Sequence, residues 1–208
     1  MVKRFMARWS VANTLGWGVG LSLGLILMND NRLWAWDPTA AVGLGLALLA
    51  GGVATGLVVG TAQWIGWHNP AIRLASWLAS SAAGGVLVYF VTQFTFPLLR
   101  TVDFDMGFTI PVLGVQQPDF SLGNVLGGPL TGLVVGLLMG LAQSTSLSKQ
   151  MSSLRWIGIN TLAAALGFLV GSLVSWMMIP NLFICASITG LVYGIVSGML
   201  LSGRTPAQ

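Results

Sequence analysis

Charged residues are scarce in this 208-residue chain: they make up 7% of it, and glutamate is absent. There is one histidine, and there is one cysteine, Cys185. A single cysteine excludes a disulfide framework, and so few ligands exclude a zinc site or a catalytic Ser-His pair within an apolar segment. The five acids are all aspartates that lie outside the long apolar stretches. We therefore expect no catalytic residue, no metal site and no enzymatic activity.

The chain is rich in apolar residues. Hydrophobic residues make up 55% of the chain, and its mean hydropathy is +0.83. Each apolar run is near or above the roughly 20 residues that a helix needs to cross about 30 Å of hydrocarbon. The runs lie at 9–28, 40–65, 74–98, 122–143, 157–178 and 182–202. We predict an all-α integral membrane protein, with six transmembrane helices in a single domain over residues 1–208.

The basic residues predict the orientation of these spans. If the six spans alternate, seven of the nine basic residues fall on one side of the membrane, which the positive-inside rule makes cytoplasmic. All five aspartates then fall on the opposite side, and both termini are cytoplasmic. The net charge of +4 follows from this topology, so no nucleic-acid partner is expected. The seven are Lys3, Arg4, Arg8, Arg73, Lys149, Arg155 and Arg204.

Tryptophans accompany the predicted cytoplasmic ends of the spans. Rings at that depth are typical of an aromatic belt at the membrane–water interface. We expect that role for Trp9, Trp64, Trp67, Trp77 and Trp156.

Glycine recurs at four-residue spacing in several spans. Residues at i, i+4 and i+8 share one stripe of a helix, and a stripe without side chains lets a neighbouring backbone approach closely. An alternative is that such a stripe faces lipid, pigment or another subunit. The predicted packing interface consists of Gly52, Gly56 and Gly60, then Gly132, Gly136 and Gly140, and finally Gly190, Gly194 and Gly198.

The chain also repeats itself. The segment RWSVANTL at 8–15 recurs as RWIGINTL at 155–162, and the glycine ladder with its final glutamine at 52–63 recurs at 132–143. The third span carries a weaker copy that begins at Trp77. We predict three two-helix hairpin repeats around an axis along the membrane normal, packed through glycine ladders.

This pattern of Gly-x3-Gly-x2-Gln followed by arginine and tryptophan resembles a family of uncharacterised multi-pass membrane proteins common in cyanobacteria and other photosynthetic bacteria. The resemblance implies a bacterial membrane, either plasma or thylakoid, and no particular activity. The residues that carry it are Gly56, Gly60, Gln63, Trp64, Arg73 and Trp77 in one copy, and Gly136, Gly140, Gln143, Arg155 and Trp156 in another.

Four neutral polar residues are candidate ligands for a pigment or a solute: Gln63, His68, Gln143 and Asn160. Their oxygen or nitrogen atoms can ligate the magnesium of chlorophyll or hydrogen-bond a neutral solute. Hydrogen bonding between helices is the alternative role. Chlorophyll or carotenoid, together with bound lipid, are the candidate cofactors.

The predicted outer loop at 100–121 is too apolar for a solvated linker. Exposed apolar segments usually mark contacts, so we expect this loop to fold over its own bundle or to meet a partner through Phe104, Phe108 and Phe120.

Two functions fit these features. The first is a non-catalytic accessory or scaffold subunit of a larger membrane complex, in contact with pigments or lipids of a photosynthetic membrane. The alternative is a small-molecule permease or substrate-capture component. The expected partners are membrane lipids and other membrane protein subunits.

The topology predicts that Asp105→Cys, in a chain whose Cys185 is replaced by alanine, reacts with a membrane-impermeant thiol reagent in intact cells. Lys149→Cys in the same background should react only after lysis, because it lies on the cytoplasmic side. The opposite labelling pattern would overturn the orientation.

Overall fold

The computed structural model describes residues 2–28, 38–67, 72–100, 122–147, 151–177 and 181–202. Within these ranges the chain forms six α-helices and no strand, which confirms the all-α prediction. His68 and the predicted contact residues Phe104, Phe108 and Phe120 lie outside the described residues. The helices are α1 (Val2–Met28), α2 (Pro38–Trp67), α3 (Leu74–Arg100), α4 (Leu122–Ser144), α5 (Ser153–Met177) and α6 (Leu182–Ser202).

Several helices extend beyond the apolar spans that the sequence predicts. Helix α1 begins at Val2 and includes the basic residues before position 9, while α5 begins at Ser153. The 27 residues of α1 would measure about 40 Å at 1.5 Å per residue, which is close to the thickness of a bilayer with its headgroups. The basic first turns thus fit the headgroup region, where a helix can continue without burying charge.

Five of the six helices are long and apolar enough to cross a membrane. Helix α1 is not among them, and it carries the three basic residues Lys3, Arg4 and Arg8. Five such helices are consistent with a multi-pass integral membrane protein. A sixth span through α1 stays a prediction.

The six helices pack as a closed ring. Each helix contacts the helix before and after it in the chain, and α6 returns to pack against α1. Among the described residues, close backbone approach occurs only between neighbours in this ring. Large apolar side chains such as Leu15, Leu137 and Leu191 are exposed on the outside. The outer surface therefore suits lipid or another membrane protein.

Tryptophan rings fill one end of the bundle axis. The side chains of Trp9, Trp77 and Trp156 are at most 1% exposed. The ring of Trp67 lies among them, with centroid distances of 6.1 Å to Trp9, 5.9 Å to Trp77 and 5.1 Å to Trp156. The geometry is edge-on with the first two and stacked with the third, as aromatic pairs prefer. Trp9, Trp77 and Trp156 are thus core residues, where the sequence predicted an interfacial belt.

The residue before each of these three core tryptophans is hydrogen-bonded to a residue at, or two positions after, the end of the following helix. Arg8 Nε donates to the carbonyl of Gly66 at 3.0 Å, and Arg155 Nη2 donates to that of Leu200 at 2.9 Å. In the third case Ser146 Oγ donates to the carbonyl of Ser76 at 2.8 Å. The two arginines satisfy carbonyls in the last helical turn, where positive charge also complements the helix dipole.

Glycines lie where the backbones of neighbouring helices come closest. A Cβ atom added to Gly56 would lie 2.7 Å from Cα of Ala82, and one added to Gly136 would lie 2.6 Å from Cα of Thr161. A Cβ added to Gly194 would lie 2.7 Å from Cα of Ser10. These distances are shorter than the 3.5–4.0 Å at which carbon atoms pack best, so any side chain at these positions would push the helices apart.

The nine predicted interface glycines divide among three helix pairs. Gly52, Gly56 and Gly60 face α3, whereas Gly132, Gly136 and Gly140 face α5. On α6, the three glycines that face α1 are Gly190, Gly194 and Gly198.

Gly136→Leu should destabilise the folded bundle by about 1–3 kcal/mol or more, because overpacking at this contact must separate α4 from α5. Gly127→Leu, on the same helix, is the matched control, since a Cβ there meets nothing within 4 Å. Thermal unfolding in detergent compares the two. Equal melting temperatures would show that the glycine contact does not limit packing.

Candidate functional site

Seven polar side chains from all six helices converge inside the ring. Each is at most 1% exposed, and none carries a charge. We call this group the amide network. Its members are Asn13 on α1, Gln63 on α2, Ser81 on α3, Gln143 on α4, Asn160 on α5, and Tyr193 and Ser197 on α6.

The two asparagines are oriented by their own helices. Asn13 Nδ2 donates to the carbonyl of Trp9 at 2.9 Å, and Asn160 Nδ2 donates to that of Trp156 at 2.9 Å. Each asparagine therefore bonds back by one helical turn to a core tryptophan. Because the amide nitrogen is used in this way, the Oδ1 atom of each asparagine is left as an acceptor toward the other helices.

Gln63 is the central member of the network. Its Nε2 donates to Asn13 Oδ1 at 3.2 Å and to the hydroxyl of Tyr193 at 3.3 Å. Its Oε1 accepts from Nε2 of Gln143 at 2.8 Å. An amide flip of Gln63 would place two acceptor oxygens against each other at Asn13, so the hydrogen bonds themselves assign the orientation.

Helix α6 closes the network through two residues. The hydroxyl of Tyr193 accepts from Gln63 and donates to Asn160 Oδ1. Ser197 Oγ donates to the carbonyl of Tyr193 at 2.6 Å and accepts from Nε1 of Trp9 at 2.8 Å. We call Trp9, Trp67, Trp77 and Trp156 the tryptophan cluster. The amide network and this cluster are thus hydrogen-bonded to each other, and they form one continuous core.

Two buried atoms, one in the network and one in Trp156 beside Trp67 and Trp77, are unpaired among the described residues. Gln143 Nε2 donates to Ser81 Oγ at 3.0 Å as well as to Gln63, but Gln143 Oε1 has no hydrogen-bond partner among the described residues. The same is true of Nε1 of Trp156. A buried unpaired acceptor and a buried unpaired donor are uncommon in folded proteins.

The chemistry of this site is limited to hydrogen bonding. The network contains no carboxylate, imidazole, amine or thiol, so it offers no general base near neutral pH and no activated nucleophile. Among the described residues, no group of three histidine, cysteine or acidic side chains could hold a metal ion. The arrangement can tie helices together, or it can hydrogen-bond a small neutral molecule.

The structure brings together three of the four predicted ligand residues. Gln63, Gln143 and Asn160 all belong to the network, although they bond to protein partners, and His68 lies outside the described residues. Sequence reasoning did not select Tyr193 or Ser197 as site residues. The sequence signal that could have indicated them is their position on the α6 glycine ladder, because both follow Gly190 within two helical turns.

A groove on the outside of the bundle lacks the features of a binding site. It lies between α5 and α6, and Ile159, Leu162, Met199 and Leu200 contribute most of its apolar wall. Its one charged residue, Arg155, already donates to the carbonyl of Leu200. The convergent polar groups of the molecule are therefore in the core and not in this groove.

Comparisons of the chain with protein-family models, with curated proteins and with solved structures find no match.

Gln63→Leu should lower the free energy of unfolding by about 1–3 kcal/mol, because it leaves Asn13 Oδ1 and one Gln143 donor bond unsatisfied inside the bundle. Ser144→Ala is the control, since Ser144 Oγ bonds only to the carbonyl of Leu141 in its own helix. Unfolding in mixed micelles with increasing dodecyl sulfate measures both variants. Gln63→Leu and Ser144→Ala unfolding at the same detergent fraction would show that the network adds no stability.

Proposed function

We propose that this protein is a non-catalytic accessory or scaffold subunit of a larger membrane protein complex. The observation that carries the proposal is the occupied bundle axis. The large side chains of Trp9, Trp77 and Trp156 fill one level of the bundle axis. The amide network fills the adjacent level, where its side chains are hydrogen-bonded to one another. Groups that would face a substrate in a carrier are here engaged with one another, which suits a rigid structural body.

We propose further that the bundle consists of three hairpin repeats, α1–α2, α3–α4 and α5–α6. Support comes from one common register on the even helices. Three residues after Gly60, Gly140 and Gly194 stand Gln63, Gln143 and Ser197, and all three of these belong to the amide network. Six residues after the same glycines stand Gly66, Ser146 and Leu200, which bond to the residue before a core tryptophan.

Glycine ladders join one hairpin to the next in this arrangement. The glycine stripe of α2 faces α3, that of α4 faces α5, and that of α6 faces α1. The hairpin partners are linked at their ends by the Arg8, Ser146 and Arg155 hydrogen bonds, and Gly16 on α1 and Gly167 on α5 also face their own hairpin partners. Each helix thus contacts one neighbour within its hairpin and one in the next hairpin, and glycine occurs at both kinds of contact, as in small-xxx-small packing.

The proposed topology has six spans, including α1, and cytoplasmic termini. The hydrogen bonds of Arg8 and Arg155 place the starts of α1 and α5 beside the ends of α2 and α6. The basic residues near these ends therefore lie at one end of the bundle, as the positive-inside rule requires of a cytoplasmic face. The membrane is proposed to be a bacterial plasma or thylakoid membrane, following the resemblance of the repeat pattern.

The outer surface is the proposed contact surface for lipid and for other subunits. Every helix exposes large apolar side chains there, including Leu23, Leu46, Leu87, Leu133, Leu162 and Ile195. Chlorophyll, carotenoid or bound lipid would lie on this surface and not at the amides in the core. The loop that contains Phe104, Phe108 and Phe120 is the proposed partner contact.

A small-molecule permease or substrate-capture component is the second candidate function. The observation in its favour is the set of uncharged amides at the centre of the bundle, which are suitable partners for a neutral solute. The unpaired oxygen of Gln143 would then be available to that solute. A path for a solute along the bundle axis would require the tryptophan cluster to move.

The subunit proposal predicts that the protein, solubilised from its native membranes in a mild detergent, migrates in native electrophoresis with larger subunits. Replacing Phe104, Phe108 and Phe120 by serine should release it, because each buried aromatic contributes roughly 1.5–3 kcal/mol. Replacing Gln116 and Gln117 by serine is the control in the same loop. Wild-type protein that migrates alone, near its own 21.9 kDa plus detergent, would contradict the proposal and favour the permease.

A further inference from the structure

Gln143 Oε1 and Trp156 Nε1 are two buried polar atoms of opposite hydrogen-bonding character. One is a hydrogen-bond acceptor and the other is a donor, and neither has a partner among the described residues. Both side chains are fully buried. A buried polar atom that loses its water without gaining a new hydrogen bond destabilises the fold.

The helix pair α6–α1 shows how an equivalent pair is satisfied. A Cβ on Gly194 would lie 2.7 Å from Cα of Ser10 and 3.2 Å from Cβ of Asn13. Just beyond this contact, Trp9 Nε1 donates to Ser197 Oγ at 2.8 Å. The indole of the odd helix and the polar residue of the even helix therefore bond across the interface.

The helix pair α4–α5 repeats this geometry. A Cβ on Gly140 would lie 3.0 Å from Cα of Ile157 and 3.2 Å from Cβ of Asn160. Trp156 directly precedes Ile157, as Trp9 precedes Ser10, and Gln143 follows Gly140 by the same three residues that separate Ser197 from Gly194. In the repeat register proposed above, on which this inference rests, Trp156 and Gln143 thus stand where Trp9 and Ser197 bond.

The orientation of the Gln143 amide leaves its oxygen as the unsatisfied atom. Its nitrogen donates to Gln63 Oε1 and to Ser81 Oγ. A flipped amide would set its oxygen against Gln63 Oε1, and two acceptors would then face each other without a hydrogen between them. The oxygen must therefore find its donor elsewhere.

In the third helix pair, α2–α3, no such gap exists. Trp77 Nε1 donates to the carbonyl of Gly60 at 3.0 Å, and both amide atoms of Gln63 are bonded within the network. The α4–α5 pair thus differs from the other two in having one donor and one acceptor without a partner among the described residues. A molecule that accepts one hydrogen bond and donates another would satisfy both.

We propose that a single buried water molecule bridges Trp156 and Gln143. It accepts a hydrogen bond from the indole N–H and donates one to the amide oxygen, so both groups are satisfied by one ligand. The rings of Trp67 and Trp77, at centroid distances of 5.1 Å and 5.6 Å from Trp156, wall this region with apolar surface. The water would link α4 to α5 by hydrogen bonds.

An experimental structure of the whole protein at a resolution that shows ordered water tests the proposal. The expected result is one density peak within about 3.2 Å of both Trp156 Nε1 and Gln143 Oε1. A direct bond between the two side chains, no density, or density for a larger solute would each overturn it. The test is independent of whether the protein migrates with other subunits, so failure of the subunit proposal remains distinguishable.

A double-mutant cycle on thermal unfolding gives a second test in solution. Trp156→Phe keeps an aromatic ring and removes the donor, whereas Gln143→Ser copies the residue at the equivalent α6 position and shortens the acceptor. If one bridge links the two side chains, the double variant should lose less free energy of unfolding than the two single variants lose in sum. Strictly additive losses would overturn the bridge, and Ser172→Ala combined with Trp156→Phe supplies the additive reference.

Discussion

Lipid tails are as apolar as leucine, so hydrophobic burial does not drive one membrane helix against another, and the structure depends on other forces. Close backbone packing and buried hydrogen bonds must supply the attraction. In this protein both occur at the same positions. A Cβ added to Gly56, Gly136 or Gly194 would crowd the backbone of the neighbouring helix, and buried polar side chains of the same three helices reach across the axis. The single side chain of Gln63 connects α2 by hydrogen bonds to three other helices, α1, α4 and α6.

These contacts also bear on function. A polar core of amides and hydroxyls without a charged side chain provides directional hydrogen bonds between the helices. The tryptophan cluster is hydrogen-bonded to the same network through Trp9 and Ser197, so the polar and aromatic levels stabilise each other. A core of this kind favours one arrangement of the helices. That property suits a subunit that presents a fixed outer surface to lipid and to partners.

The all-helical fold and its five long apolar helices could be predicted from sequence, because the length of an apolar run is a local property. The prediction also selected Gln63, Gln143 and Asn160, since amides are rare within apolar spans. The roles of Trp9, Trp77 and Trp156 could not be inferred, because a ring near a span end can face either the lipid interface or the axis. Ser197 was missed for a different reason. A ladder with four-residue spacing looks the same after a shift of one turn, so the sequence alone does not fix which α6 glycine corresponds to Gly60 in the proposed repeat.

In the proposed subunit, the polar groups of the core bond the helices to one another and leave no path for a solute. Stopped-flow light scattering of proteoliposomes, challenged with glycerol, urea and sucrose gradients, tests this claim most directly. Vesicles that contain the protein should shrink and reswell at the same rates as protein-free vesicles of the same lipid. Faster entry of any of these neutral solutes, abolished by Gln63→Leu, would contradict the claim and make the amide network a transport site.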